Sequence, residues 1–139
     1  MRDAMDKMHP VNAIPPAAAT TDETAWVGSI IDGAGYDSLT YVIVTGTETD
    51  ADATFAVTLE EGNDSGLSDT AAATLFTGGG LSSASFTFAS DHVTRKLGYL
   101  GVMRYTRLTI TPTNNNSGNA FVAAVAILEN PHNAPTSNP

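Results

Sequence analysis

Turn-forming residues recur at short intervals along the middle of this chain, and the runs between them alternate apolar and polar side chains. Alternation with a period of two puts one face of each run in a core and the other in solvent, the mark of half-buried strands. The clearest case is Thr54 to Glu60, where Phe55, Val57 and Leu59 point one way and Thr54, Thr58 and Glu60 the other. Ser38 to Thr45 is apolar on both parities, as a central strand is. Further runs are Ala25–Ile31, Ser85–Ala89, Thr94–Leu100, Arg104–Thr111 and Ala120–Leu128, separated by turns such as Asp32-Gly33, EGNDSG and NNNSG. One short helical turn is expected from Asp69 to Phe76, with Asp69 as its N-cap and Gly78-Gly79-Gly80 as its end. About eight short strands in one domain-sized chain predict an all-β jellyroll or β-sandwich. The expected core is Tyr41, Ile43, Phe55, Val57, Leu59, Phe86, Phe88, Leu108, Ile110, Phe121, Val125 and Ile127.

Prolines set the boundaries of that body. Pro10, Pro15 and Pro16 interrupt residues 1–24, and Pro131, Pro135 and Pro139 fall in residues 131–139. Proline removes a backbone donor and restricts its predecessor, so both ends read as extended arms around a domain at 25–130. Met5, Met8, Val11 and Ile14 recur every three residues in the first arm. They are too few for a core, and the expectation is an arm that orders only on a partner.

Composition removes several functions. The 139 residues contain no cysteine, which excludes disulfides, thiolate metal sites and thiol nucleophiles. A net charge of -9 denies the chain the cationic footprint that phosphate binding requires, so no direct contact with nucleic acid is expected. No apolar run approaches a membrane-spanning length, and the start, MRDAMDKMHP, lacks a secretory core, so the chain reads as a soluble cytosolic product with no membrane partner. Catalysis has little support. His9 and His132 lie in the arms and His92 in a polar turn, no G-x-S-x-G elbow occurs, and no catalytic residue is assigned. The acidic turns at Glu48, Asp50, Asp52 and at Glu60, Glu61, Asn63, Asp64 lack EF-hand spacing and read as ordinary hairpin turns. Neither a metal nor a cofactor is expected. Carbohydrate binding is limited by the aromatic content, although Tyr36, Tyr99 and Tyr105 fall outside the expected core.

Charge is segregated. No Lys or Arg occurs between Met8 and Thr94, whereas Arg95, Lys96, Arg104 and Arg107 follow within thirteen positions. Two readings are open: local ion pairs on a solvated acidic surface, or a basic sheet edge that meets an acidic partner.

One stretch carries a resemblance. Gly98, Tyr99, Gly101, Arg104, Tyr105 and Arg107, then a Gly-containing turn, an apolar strand, and Pro131, His132, Ala134 and Pro135 resemble the second half of a group of small tailed-bacteriophage head proteins. The GYDSLTYVIVTGTETD stretch is similar to the first half of the same group. These are capsid cement, or decoration, proteins of the jellyroll type. The resemblance implies a jellyroll on the outer surface of the virion, synthesised in a bacterial cytoplasm, that clamps neighbouring major capsid protein subunits as a homodimer. Met5, Met8, Val11 and Ile14 of the arm and the cluster Arg95, Lys96, Arg104, Arg107 are the expected partner-binding residues. Other classes remain open: a carbohydrate-binding head-fibre or adhesin domain, and a head-completion or connector component.

Overall fold

The computed structural model describes residues 4–73 and 84–136. Among these residues a 3-10 turn at Met5–Lys7 precedes nine strands: β1 Met8–Ile14, β2 Trp26–Asp32, β3 Tyr36–Glu48, β4 Thr54–Gly62, β5 Ala71–Ala72, β6 Phe86–Thr87, β7 Thr94–Tyr99, β8 Tyr105–Thr113 and β9 Ala120–Pro131. They form two antiparallel sheets. One has the order β1-β9-β3-β7; the other runs β2-β8-β4-β5, with β6 also on β4. β1, β3, β7 and β9 lie in the first sheet and β2, β4 and β8 in the second, so the chain crosses between layers at nearly every connection. That alternation, with the last long strand between the first and third, is the jellyroll order. The fold is all-β, as the alternation predicts.

The core fills the space between the layers. Tyr41, Ile43, Phe55, Val57, Leu59, Phe86, Leu108 and Ile110 are all buried there, in agreement with the periodicity. Large residues on β3 face small ones on β9: Tyr41 lies opposite Ala126 and Ile43 opposite Ala124. Phe55 stacks on Phe86 with ring centroids 4.7 Å apart. The one phenol in this core is satisfied, because Tyr41 Oη and Thr106 Oγ1 share a hydrogen bond of 2.6 Å between the sheets.

The large side chains of β9 run against expectation. Ala120, Val122, Ala124, Ala126 and Leu128 face inward, and Phe121, Val125 and Ile127 face out. Both parities of this strand are apolar, so alternation could not choose between them. Packing chose: the interior beside Tyr41 and Ile43 has room for alanine. Phe88 is also exposed, because β6 ends at Thr87 and the chain turns there, with Ser90 N–H donating to Thr87 O. The expected helical turn does not form in its described part. Ala71–Ala72 pairs with Glu60–Glu61, and the Asp69 carboxylate accepts from Asn63 and Asp64 N–H at 2.9 and 3.1 Å. Residues 74–76 of that expectation, and Gly78 to Gly80, lie outside the described residues.

Both terminal segments, in their described parts, pack against the sandwich. β1 pairs with β9 from Met8↔Glu129 to Ile14↔Ala124, and Ala13 and Ile14 are buried. Pro10 is tolerated because β1 is an edge strand, where one side of the backbone needs no donor. Gly28 of β2 explains how β1 closes the sandwich. A Cβ there would stand 2.5 Å from Leu108 O and 2.9 Å from Ala13 O, so only glycine admits the two backbones. At the other terminus His132 N–H donates to Gly35 O, while Thr136 N–H donates to Asp6 O and its hydroxyl to Met8 O. Thr136 thus ties the two terminal segments together.

Candidate functional site

The sheet register decides which side chains share a face. On the outer face of the four-stranded sheet, Thr40, Val42 and Val44 of β3 lie opposite Ile127, Val125 and Ala123 of β9. Phe121 extends the row, and a Cβ on its neighbour Gly46 would sit 2.8 Å from the Phe121 Cβ. Pro10 of β1 flanks Ile127, and Lys96 of β7 flanks Val42. Val44 is 46% exposed and Phe121 41%, and Val42, Val125 and Ile127 are half-buried. The face is therefore a belt of β-branched and aromatic side chains with one cation at its edge.

The outer face of the other sheet is the control within the same molecule. There Thr54, Ala56, Thr58 and Glu60 of β4 lie opposite Thr113, Thr111, Thr109 and Arg107 of β8, and on the edge strand Val27, well exposed, and Ile30 flank Thr109 and Arg107. A solvated antiparallel face normally looks like that one. The first face is the richer of the two in large apolar side chains.

The four clustered cations do not assemble. Arg95 and Lys96 lie on β7, Arg104 in the loop just before β8 and Arg107 on β8, and the two strands belong to different sheets. Arg104 forms a two-point ion pair with Asp32, at 2.8 Å from both Nε and Nη2, and this guanidinium holds the Asp32 carboxyl below its ordinary range. Arg107 reaches Glu60 across the strands at 2.8 Å. Arg95 is half-buried and donates to Ser90 Oγ at 3.1 Å. Lys96 is exposed on the apolar outer face. In the terminal segment, Ile14 is buried and Val11 packs against the core, whereas Met5 is exposed and Met8 half-buried. Sequence proximity suggested one patch, and the crossover between layers separates it.

The acidic turns are ordered by their own chain. Asp50 accepts from the N–H groups of Asn116 and Ser117 at 2.9 and 2.8 Å; these bonds, led by the Ser117 amide, hold its carboxyl down to about 2. Glu48 is buried at the end of β3, and burial pushes its carboxyl up to about 7, with Asp91 adding to the rise and the Phe121 amide opposing it. Among the described residues no three His, Asp or Glu side chains converge to hold a metal ion.

A cleft of about 370 Å³ opens at one end of the sandwich, between the Gly33–Gly35 turn, the start of β3, the β7–β8 loop and His132. Tyr36 and Tyr99, two of the three tyrosines outside the expected core, line it. Tyr99 is fixed by its phenol, which donates to Glu61 Oε2 at 2.5 Å and accepts from Met103 N–H at 3.0 Å.

No family model and no curated protein sequence matches the chain. Among solved structures, it is similar to a chain of infectious bursal disease virus, Gx strain, at 9% identity and a TM-score of 0.43, covering 93% of this chain and 35% of that one. It is similar at 9% identity and a TM-score of 0.42 to a family 29 carbohydrate-binding module complexed with cellulohexaose, over 86% of this chain and 90% of that one. A third is dimeric latent PorU from Porphyromonas gingivalis, at 7% identity and a TM-score of 0.43, covering 89% of this chain and 13% of that one. The chain thus spans about a third of the viral chain it matches.

Proposed function

We propose that this jellyroll is a structural virion protein that decorates a tailed-phage capsid, seating the outer face of its four-stranded sheet on the major capsid protein. The observation that carries the reading is the contrast between the two outer faces: Val42, Val44, Phe121, Val125 and Ile127 on one, against threonines, an ion pair and, on the edge strand β2, Val27 and Ile30 on the other. The resemblance of the Gly98–Arg107 block and the Pro131–Pro135 tail to phage cement proteins supplies the identity of the partner and the homodimer. A dimer that touches two capsid subunits raises the effective concentration of each contact, so a modest apolar face suffices at every site. The net charge of -9 keeps free copies apart until they meet the shell.

The electrostatic part of the attachment is smaller than the cluster suggested. Arg104 and Arg107 are engaged with Asp32 and Glu60, which leaves Lys96 as the cation on the face. The test is occupancy on purified shells that lack the protein. Val44→Glu and Phe121→Ser should leave the melting temperature nearly unchanged and reduce bound copies about tenfold or more, an apolar contact of ~1.4 kcal/mol or above. Occupancy of the unaltered protein should survive a rise to high salt, because burial of apolar area is not screened. Full occupancy by both variants would overturn the docking face.

A further inference from the structure

We propose that the cleft between the Gly33–Gly35 turn, the β7–β8 loop and His132 binds a neutral sugar residue of a glycan. This is a second activity, independent of the docking face: the cleft opens at the end of the sandwich between the layers. Its volume of about 370 Å³ falls in the range of small-ligand sites and admits one or two pyranose rings.

The lining has the two kinds of surface a sugar presents. Leu39 and Leu128 supply buried apolar ground, and Val102 stands 93% exposed at the mouth with no core to join. Such groups suit the C–H face of a pyranose. Polar groups of the cleft are already hydrogen-bonded: Asp37 with His132 at 2.7 Å, and Arg104 with Asp32 at 2.8 Å. Each pair keeps bonding capacity. His132 uses one oxygen of Asp37, and Asp32 engages Nε and Nη2 of Arg104 but not Nη1. Adjacent hydroxyls, which donate and accept at once, match that arrangement of one free acceptor and one free donor.

Charge argues for neutrality. An anionic ligand would meet Asp37, with the Asp32 and Glu61 carboxylates behind Arg104 and Tyr99, and a cationic one would meet Arg104. A polyol meets no net penalty from either. Preorganisation favours binding as well. The bonds from Tyr99 to Glu61 and Met103 hold the ring and the loop together before any ligand arrives, so less entropy is lost on association.

The experiment is amide chemical-shift mapping of the full chain with glucose, galactose, N-acetylglucosamine, cellobiose and lactose, each titrated to about 20 mM, with glycerol as a control. At least one saccharide should shift the amides of residues 33–38 and 99–104, saturating in the millimolar range. Asp37→Ala removes an acceptor from an exposed pair and should weaken binding about tenfold with little change in melting temperature. Val102→Arg obstructs the mouth from an exposed position and should abolish it. The proposal is overturned if no saccharide moves those amides, if glycerol moves them equally, or if both variants bind like the unaltered protein. Capsid attachment is read separately, so failure here leaves the docking face untouched.

Discussion

Glu48 is the residue whose environment is most at odds with its chemistry. It ends β3 opposite Ala120, is 5% exposed, and neither of its oxygens has a full hydrogen-bond partner. Its carboxyl rises from 4.5 to about 7 because burial disfavours the charge. The native state therefore holds a proton that the unfolded chain releases between those values. This residue's contribution favours folding most below about pH 4.5, weakens as pH rises toward 7, and is lost above it. Glu48→Gln removes the ionisation while keeping the shape. The variant should be more stable at pH 8 by on the order of 1–2 kcal/mol, the scale of an uncompensated buried polar group, and no more stable at pH 4. Thermal melts at the two pH values decide it; an equal gain at both would point to packing rather than charge.

At the scale of the element, β1 and β9 carry the main departures from sequence expectation, and they are the same departure. β9 is the hub of its sheet, with β1 on one side and β3 on the other. Its inward alanines leave room for Tyr41 and Ile43 of β3 and for Ile14 of β1, each opposite or beside Ala124 and Ala126. An arm that fills a core position cannot be dispensable. Ile14→Ala should cost about 2–4 kcal/mol, as truncation of a buried isoleucine does. Deletion of residues 1–14 exposes the edge of β9 and should leave a chain that melts far lower or aggregates. Retention of the full melting temperature in that deletion would show that β1 is docked but not structural. The same reasoning separates the faces: substitutions at Phe121 or Val125 change an outward face and should leave the melting temperature nearly unchanged, while those at Val122 or Leu128 should lower it.

For the whole molecule, the titrating groups oppose one another. The carboxyls of Asp22, Asp32, Asp50, Asp64 and Asp69 are all depressed, by the Thr24 amide, the Arg104 guanidinium and the amides of Ser117, Ser68 and Asn63 respectively as the leading partners. Their stabilisation is complete above the unfolded value near 3.8 and disappears as pH falls through the lower folded values. Glu48 acts in the other direction between 4.5 and about 7, and the repulsion of a chain at -9 grows as pH rises. Maximum stability is therefore expected at about pH 4–5. Calorimetric scans at low protein concentration should show a melting temperature that falls on both sides of that window. A steady rise from pH 4.5 to 8 would contradict the assignment of Glu48.

Local order was legible in the chain itself. The positions of β2, β3, β4, β7, β8 and β9 follow from alternation and from turn residues, because both act over neighbouring positions. Tyr41, Phe55, Leu59 and Ile110 are inward for the same reason. Three things required the assembled layers. The parity of β9 depended on the size of its neighbours on β3, since its own two faces are equally apolar. Residues 8–14 became a strand because β9 offered a free edge, and no property of MHPVNAI announces that edge. The cations at 95, 96, 104 and 107 were dispersed because the chain crosses between sheets after β7, which turns neighbours in sequence into residues of different layers. Periodicity reports which side chains share a face of one strand. What that face meets is a relation between strands, and only the tertiary structure contains it.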